Sequence, residues 1–104
     1  MTDKRIVFTT AGDRKEAEDI AWGLVERKLA ACVNIVQVES VYRWKGEIEK
    51  HPEHLLIIKT TASACGRVRA ALAELHSYEI PECIELPIEA GSEKYLAWLG
   101  QSVE

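Results

Sequence analysis

The sequence predicts an α+β sandwich, with four strands in one antiparallel sheet and two helices on one face. Three observations predict it. Apolar residues recur at helical spacing in two separate windows, 17–25 and 65–75. Between these windows, from Ala31, the period changes to two and holds through a long stretch with a turn signal at Lys45-Gly46. A β-branched run at the start, Ile6-Val7-Phe8-Thr9-Thr10, and an alternating run around Ile84, Leu86 and Ile88 supply the first and last strands. The order is therefore β-α-β-β-α-β, followed by a short terminal helix.

Each element has its own warrant. Asp13 offers an N-cap with Glu16 three residues on, and Ala17, Ile20, Ala21, Leu24 and Val25 form the stripe of the first helix. Trp22 falls off that stripe and reads as a partly exposed tryptophan or a second contact surface. Val33 and Ile35 then take one strand face, while Cys32, Asn34, Val36 and Val38 take the other. The strand continues through Tyr42 and Trp44 to the turn, and the return strand runs from Glu47 to Thr61. Leu55 to Ile58 is apolar on both faces, which places it in the middle of the layers. His51-Pro52 suits an edge or a bulge.

Ser63 is read as the cap of the second helix, whose stripe is Cys65, Val68, Leu72 and Leu75. Pro81 opens the last strand, and Pro87 inside it argues for an edge position. Gly91-Ser92 starts the terminal helix, with Tyr95, Leu96 and Leu99 as anchors and Gly100 as its stop. This is the split βαβ, or ferredoxin-like, plan in a single domain over residues 1–104. The spatial order 4-1-3-2 puts the two most apolar strands in the centre.

The central hairpin is too long for that plan. Each arm runs to roughly 14 residues, about 45 Å at strand rise. The first strand is about half as long, so the distal hairpin overhangs its own sheet while carrying Val41, Tyr42, Trp44 and Ile48. A two-stranded ribbon is marginal in water, and exposed apolar edges pair. The sequence thus predicts packing against other copies of the chain in a closed ring, rather than a hairpin folded back on its own sheet.

Composition narrows the function. The formal net charge is −4, with no basic stripe, which argues against nucleic-acid binding and anionic membrane surfaces. The longest aliphatic run, Leu55-Leu56-Ile57-Ile58, is far too short to span a bilayer, and no signal-peptide pattern follows Met1, so a cytoplasmic protein is expected. Cys32, Cys65 and Cys83 are scattered, without a CxxC, which disfavours a disulfide framework or structural zinc. The glycines stand alone, so no phosphate cradle is indicated, and no cysteine–histidine pair has catalytic context; the chain is expected not to be an enzyme.

Five segments together resemble one family. They are LVERKLAACVNI (24–35), SVYRWKGEIE (40–49), LLIIKTT (55–61), LHSYEIPECIELPI (75–88) and YLAWL (95–99). In order and gaps they look like the CutA, or divalent-cation-tolerance, family. The resemblance implies a ferredoxin-like subunit, a homotrimer built through the long hairpins, a cytoplasmic protein and kinship with PII-type signalling trimers. It implies a role in divalent metal tolerance, with copper bound in some members, no obligatory cofactor and no catalytic reaction. It also leaves open a PII-like signalling or scaffold trimer acting through a protein partner.

The usual family run His-Pro-Tyr-Glu-x-Pro-Glu reads here His76-Ser77-Tyr78-Glu79-Ile80-Pro81-Glu82. His76 is thereby the implied copper ligand, while Thr9 and Leu75 stand at the other ligand positions and offer no soft donor. At a helix C-terminus His76 also suits a structural role, donating to terminal carbonyls. Lys59 ends an apolar strand and must snorkel or find a partner. With Trp44, Tyr95 and Trp98 it lines a candidate cleft for an anionic small molecule, unless packing alone accounts for the aromatics. Tyr78 is a further candidate, with a turn role as the alternative. Cys32 and Cys65 read as buried hydrophobes, and Cys83 as more accessible. Glu47, Glu49, Glu53 and Glu85 read as a solvated face, and His51 and His54 as surface residues.

Overall fold

A computed structural model describes residues 2–104. Its elements are β1 (Lys4–Ala11), α1 (Arg14–Glu26), β2 (Cys32–Trp44), β3 (Glu47–Thr61), α2 (Cys65–Leu75), β4 (Ile84–Pro87) and α3 (Glu93–Gln101). The sheet order is β2-β3-β1-β4, fully antiparallel, which is the expected order read from its other edge.

The apolar stripes explain the layering. Val7 and Ala11 of β1 and Leu56 and Ile58 of β3 pack with Ile20 and Leu24 of α1 and Val68 and Leu72 of α2 in one buried cluster. Each Val, Leu or Ile side chain buried there stabilises the fold by about 1.5–3 kcal/mol. Thr60 is buried among them and its hydroxyl donates to the Leu29 carbonyl at 2.6 Å, which ties β3 to the end of α1. Beyond the stripe, Val25 is 43% exposed, contrary to expectation. One residue past Leu24 is a rotation of about 100° on the helix, enough to carry it to the rim. The short α3 contacts β1 and β3, and Leu99 is fully buried there.

Asp13 accepts from the Glu16 amide at 2.8 Å, so the expected cap of α1 forms, and Ser92, at the expected start of α3, accepts from the Tyr95 amide at 3.3 Å. Ser63 caps nothing. The chain leaves β3 through a 3₁₀ turn, Ala62–Ala64, and Ser63 sits inside it, 3.3 Å from the Thr61 hydroxyl. Gly100 does not stop α3 either; it is where the helix approaches β1, since a Cβ there would meet Lys4 Cε at 3.1 Å.

The hairpin is long and continuously paired. Cα pairing runs without a break from Cys32↔Lys59 to Trp44↔Glu47, so His51-Pro52 makes no bulge. The edge reading of Pro52 holds, because β1 ends where Ala11 pairs with His54 and the distal part of β3 has β2 alone beside it. Lys45 and Gly46 both take positive φ, 50° and 82°, which is the type I′ pattern that matches strand twist. Val41 and Ile48 on the overhang are 67% and 69% exposed. The arm stays extended, in a molecule 44 Å in its longest dimension, and does not fold back.

β4 starts at Ile84, three residues later than Pro81 suggests. Phe8↔Ile84 is the last pair with β1, and the preceding segment instead crosses the end of β1. Pro87 lies on this outer strand, as expected.

Candidate functional site

The loop between α2 and β4 is fastened to the end of β1 by its own side chains. His76 is the C-cap residue of α2, in extended conformation. Its ring turns away from the helix carbonyls, and Nε2 donates to the Thr10 carbonyl at 2.6 Å. Nδ1 accepts from the Tyr78 amide at 3.1 Å. A carbonyl can only accept and an amide can only donate, so this network assigns the neutral Nε2–H tautomer and uses both nitrogens. The Glu16 carboxylate lies 3.8 Å from Nδ1 and accepts from the Ser77 amide at 2.8 Å. It therefore holds the loop rather than closing a capping box on Asp13.

Tyr78 carries the fastening further. Its ring packs on His76 with centroids 4.7 Å apart, and its hydroxyl lies beside Gly12, where a Cβ would sit only 3.0 Å away. The phenol thus passes the end of β1 and donates to Glu53 Oε2 at 2.6 Å. Glu53 is only 8% exposed, which corrects its reading as a solvated residue. Burial and the Glu53 carboxylate push the Tyr78 phenol well above its ordinary range. Burial, with a contribution from Glu53, also pushes Glu82 above the usual carboxylate range. His54 is half-buried rather than a free surface residue, and its Nδ1 has no hydrogen-bond partner among the described residues. Sequence reasoning missed Glu53 because alternation alone assigns a face, and the residue that covers it arrives from a loop 25 positions away.

The second cluster is on the face covered by α3. Lys59 Nζ lies 5.8 Å over the Tyr95 ring, and Tyr95 and Trp98 stack at 5.4 Å. Cys32 pairs with Lys59 across the strands, and its thiol points to Asn34 Oδ1 at 3.9 Å. Three of the expected cleft residues are thus together. Trp44 is not among them within one chain: it lies twelve residues farther along β2 than Cys32, about 40 Å away at strand rise. Tyr78 is separate as well, since it joins Glu53, six positions from Lys59 on β3. Cys65 is buried as expected; Cys83 packs against the core, and burial pushes both thiols up.

Among the described residues no group of three His, Cys, Asp or Glu side chains converges. His76, as folded, has no lone pair left to give, and Thr9 and Leu75 bring no donor of the kind copper selects.

Comparison with known proteins fixes the family. The family model described as "CutA1 divalent ion tolerance protein" matches residues 5–102. The chain belongs to the CutA1 family. Among its relatives, the "Divalent-cation tolerance protein CutA" of Thermus thermophilus is 42% identical over 95% of this chain and 97% of its own length. The "Protein CutA homolog" of Xenopus laevis is 47% identical over 92% of the chain. The chain spans 64% of that protein and 54% of "Protein CutA, chloroplastic" from Arabidopsis thaliana. In three dimensions it superposes on the T. thermophilus structure with TM-score 0.94 at 41% identity, covering 97% of this chain and 99% of that one. The structure named "Periplasmic divalent cation tolerance protein CutA" from Archaeoglobus fulgidus gives 0.95 at 40% identity, with the same coverage. The CutA1 chain therefore shares the family's fold throughout. No helix among its described residues is long and apolar enough to cross a membrane.

Proposed function

We propose that this CutA1-family chain acts as a non-catalytic homotrimer in the response to divalent cations. Its ligand clefts form where the overhanging hairpin of one copy reaches the α3 face of the next. The observation that carries this reading is the overhang itself. Val41, Tyr42, Trp44 and Ile48 are exposed on a ribbon that has no third strand beside it. Burying them between copies removes the marginality of the ribbon, and a closed ring leaves no open end. The names of its relatives support the link to divalent-cation tolerance. Three free cysteines suit a reducing compartment such as the cytoplasm.

In this assembly Trp44 of a sibling hairpin is the residue that completes the Lys59, Tyr95 and Trp98 cluster. An ammonium between aromatic faces repels a bare cation and selects a small anion. Copper or another divalent ion needs other donors. His76 can supply one only if the Tyr78 amide releases Nδ1, so copper binding there implies opening of the loop.

Sedimentation at dilute concentration tests the assembly: three times 11.7 kDa is expected, and a clean monomer defeats the proposal. A thermal-shift panel of Cu²⁺, Zn²⁺, nucleotides and small carboxylic acids tests the ligands, because a compound that binds only the native state raises Tm. An anion shift abolished by Lys59→Ala supports the cleft. A copper shift abolished by His76→Ala places the ion at His76. No shift with any compound removes the ligand role and leaves a trimer that acts through a protein partner.

A further inference from the structure

The outer face of α1 does not close against the edge of the sheet. Between α1 and β2 lies a groove of ≈ 650 Å³. Its apolar lining comes from Trp22 and Val25 on the helix and Val33 and Ile35 on the strand. Trp22 is 73% exposed, the highest value among the large hydrophobic side chains of the described residues. It lies off the core stripe, so the core does not need it. Glu18, Asp19 and Glu26 stand along the same groove.

The rim chemistry decides between occupants. Glu18 and Asp19 pair with Arg14 and Lys15 one turn away, but all four side chains are solvent-exposed. Such pairs contribute little and exchange partners readily. Glu26 has no ion pair among the described residues. A second copy meeting this groove face to face would set acidic rim against acidic rim, on a chain whose net charge is already −4. Nucleic acid and anionic lipid meet the same repulsion.

We infer that the α1–β2 groove is a docking site for a basic amphipathic helix of a partner protein. The size fits. Glu18 to Glu26 covers eight helical steps, about 12 Å, or a little over two turns. A partner helix of that length presents apolar residues at i, i+4 and i+7 to Trp22, Val25, Val33 and Ile35. Lys or Arg about eight positions apart on its flank then reach Glu18 and Glu26 together. A large, protruding tryptophan ringed by polar groups is the usual anchor of such contacts.

The test uses the whole protein and a fluorescent helical peptide of about 15 residues, with a Leu stripe and flanking Lys. A second peptide carries Glu at each Lys position. Anisotropy reads binding, and sedimentation reads the oligomeric state of every variant. Saturable binding of the basic peptide alone is expected, weakened about tenfold by Trp22→Ala and by Glu18→Gln/Glu26→Gln, and weakened again in 0.5 M salt. The paired glutamine variant keeps the fold if Trp22→Ala does not. Equal binding of both peptides, binding unaffected by either variant, or no saturable binding at about 1 mM peptide overturns the inference. So does a change of oligomeric state in Trp22→Glu, since a second copy would then be the occupant. None of these readouts depends on the Lys59 cleft.

Discussion

Tyr78→Phe isolates the fastening between the α2–β4 loop and the hairpin. The substitution removes one oxygen and keeps the ring that packs on His76. It takes away the hydroxyl that donates to Glu53 at 2.6 Å. A hydrogen bond to a charged group contributes about 1.5–3 kcal/mol, and leaving a buried acceptor without a donor costs a similar amount. The ring edge is open to solvent, so water can replace part of the loss. A net destabilisation of about 2 kcal/mol is expected, which for a domain of this size lowers Tm by about 10 °C. Thermal and guanidinium unfolding at fixed protein concentration measure it. The double variant Tyr78→Phe/Glu53→Gln recovers part of the loss, because a neutral amide is cheaper to bury unpaired than a carboxylate.

The pH dependence has a definite sign. Burial and Glu53 raise the folded phenol above its ordinary value of 10.0. The native state therefore keeps this proton longer than the unfolded chain does. The contribution is complete below about pH 10 and is lost as pH climbs through the raised folded value. The gap between wild type and Tyr78→Phe should narrow above about pH 10. Equal stability of the two proteins at neutral pH, or zero coupling in the double-variant cycle, refutes the reasoning.

Three further outcomes follow from the same structure. Glu82→Gln stabilises the protein at neutral pH; because the folded carboxyl is raised, the wild type loses stability as pH rises through the carboxylate range, so the gain vanishes in acid, as urea melts across pH will report. At the hairpin turn, Gly46→Ala costs about 1 kcal/mol at φ 82°, while Lys45→Asn, which creates the favoured Asn-Gly pair, adds about 0.5 kcal/mol; opposite Tm shifts are the check. Native Cys65 and Cys83 react with a disulfide reagent about tenfold more slowly than in denaturant, since burial raises both thiols; equal rates contradict this.

Local chemistry was legible in the sequence wherever it was self-contained. Asp13 and Ser92 cap because their oxygens reach amides three residues on. The order of strands followed from where apolar runs needed cover, and Pro87 from its missing amide. What failed depended on distant partners. Ser63 looked like a cap until the path out of β3 placed it in a 3₁₀ turn. Val25 looked buried, but its side chain lines the open groove between α1 and β2. Glu53 looked solvated because nothing in its own strand announces Tyr78. His76 sits at the end of its own helix as expected, but its ring donates to a carbonyl on β1, 66 positions back, instead of to the last carbonyls of the helix. Trp44 and Lys59 shared a chemistry but lie at opposite ends of one hairpin.

The place of β1 imposes an order on synthesis. It is made before the other three strands of its sheet, yet its two neighbours are β3 and β4, and neither is complete until residues 61 and 87 have been added. A nascent chain therefore carries Ile6, Val7 and Phe8 unpaired while the hairpin zips up beside them from purely local contacts. During that interval the central slot of the sheet is vacant, and any other extended segment of suitable character competes for it.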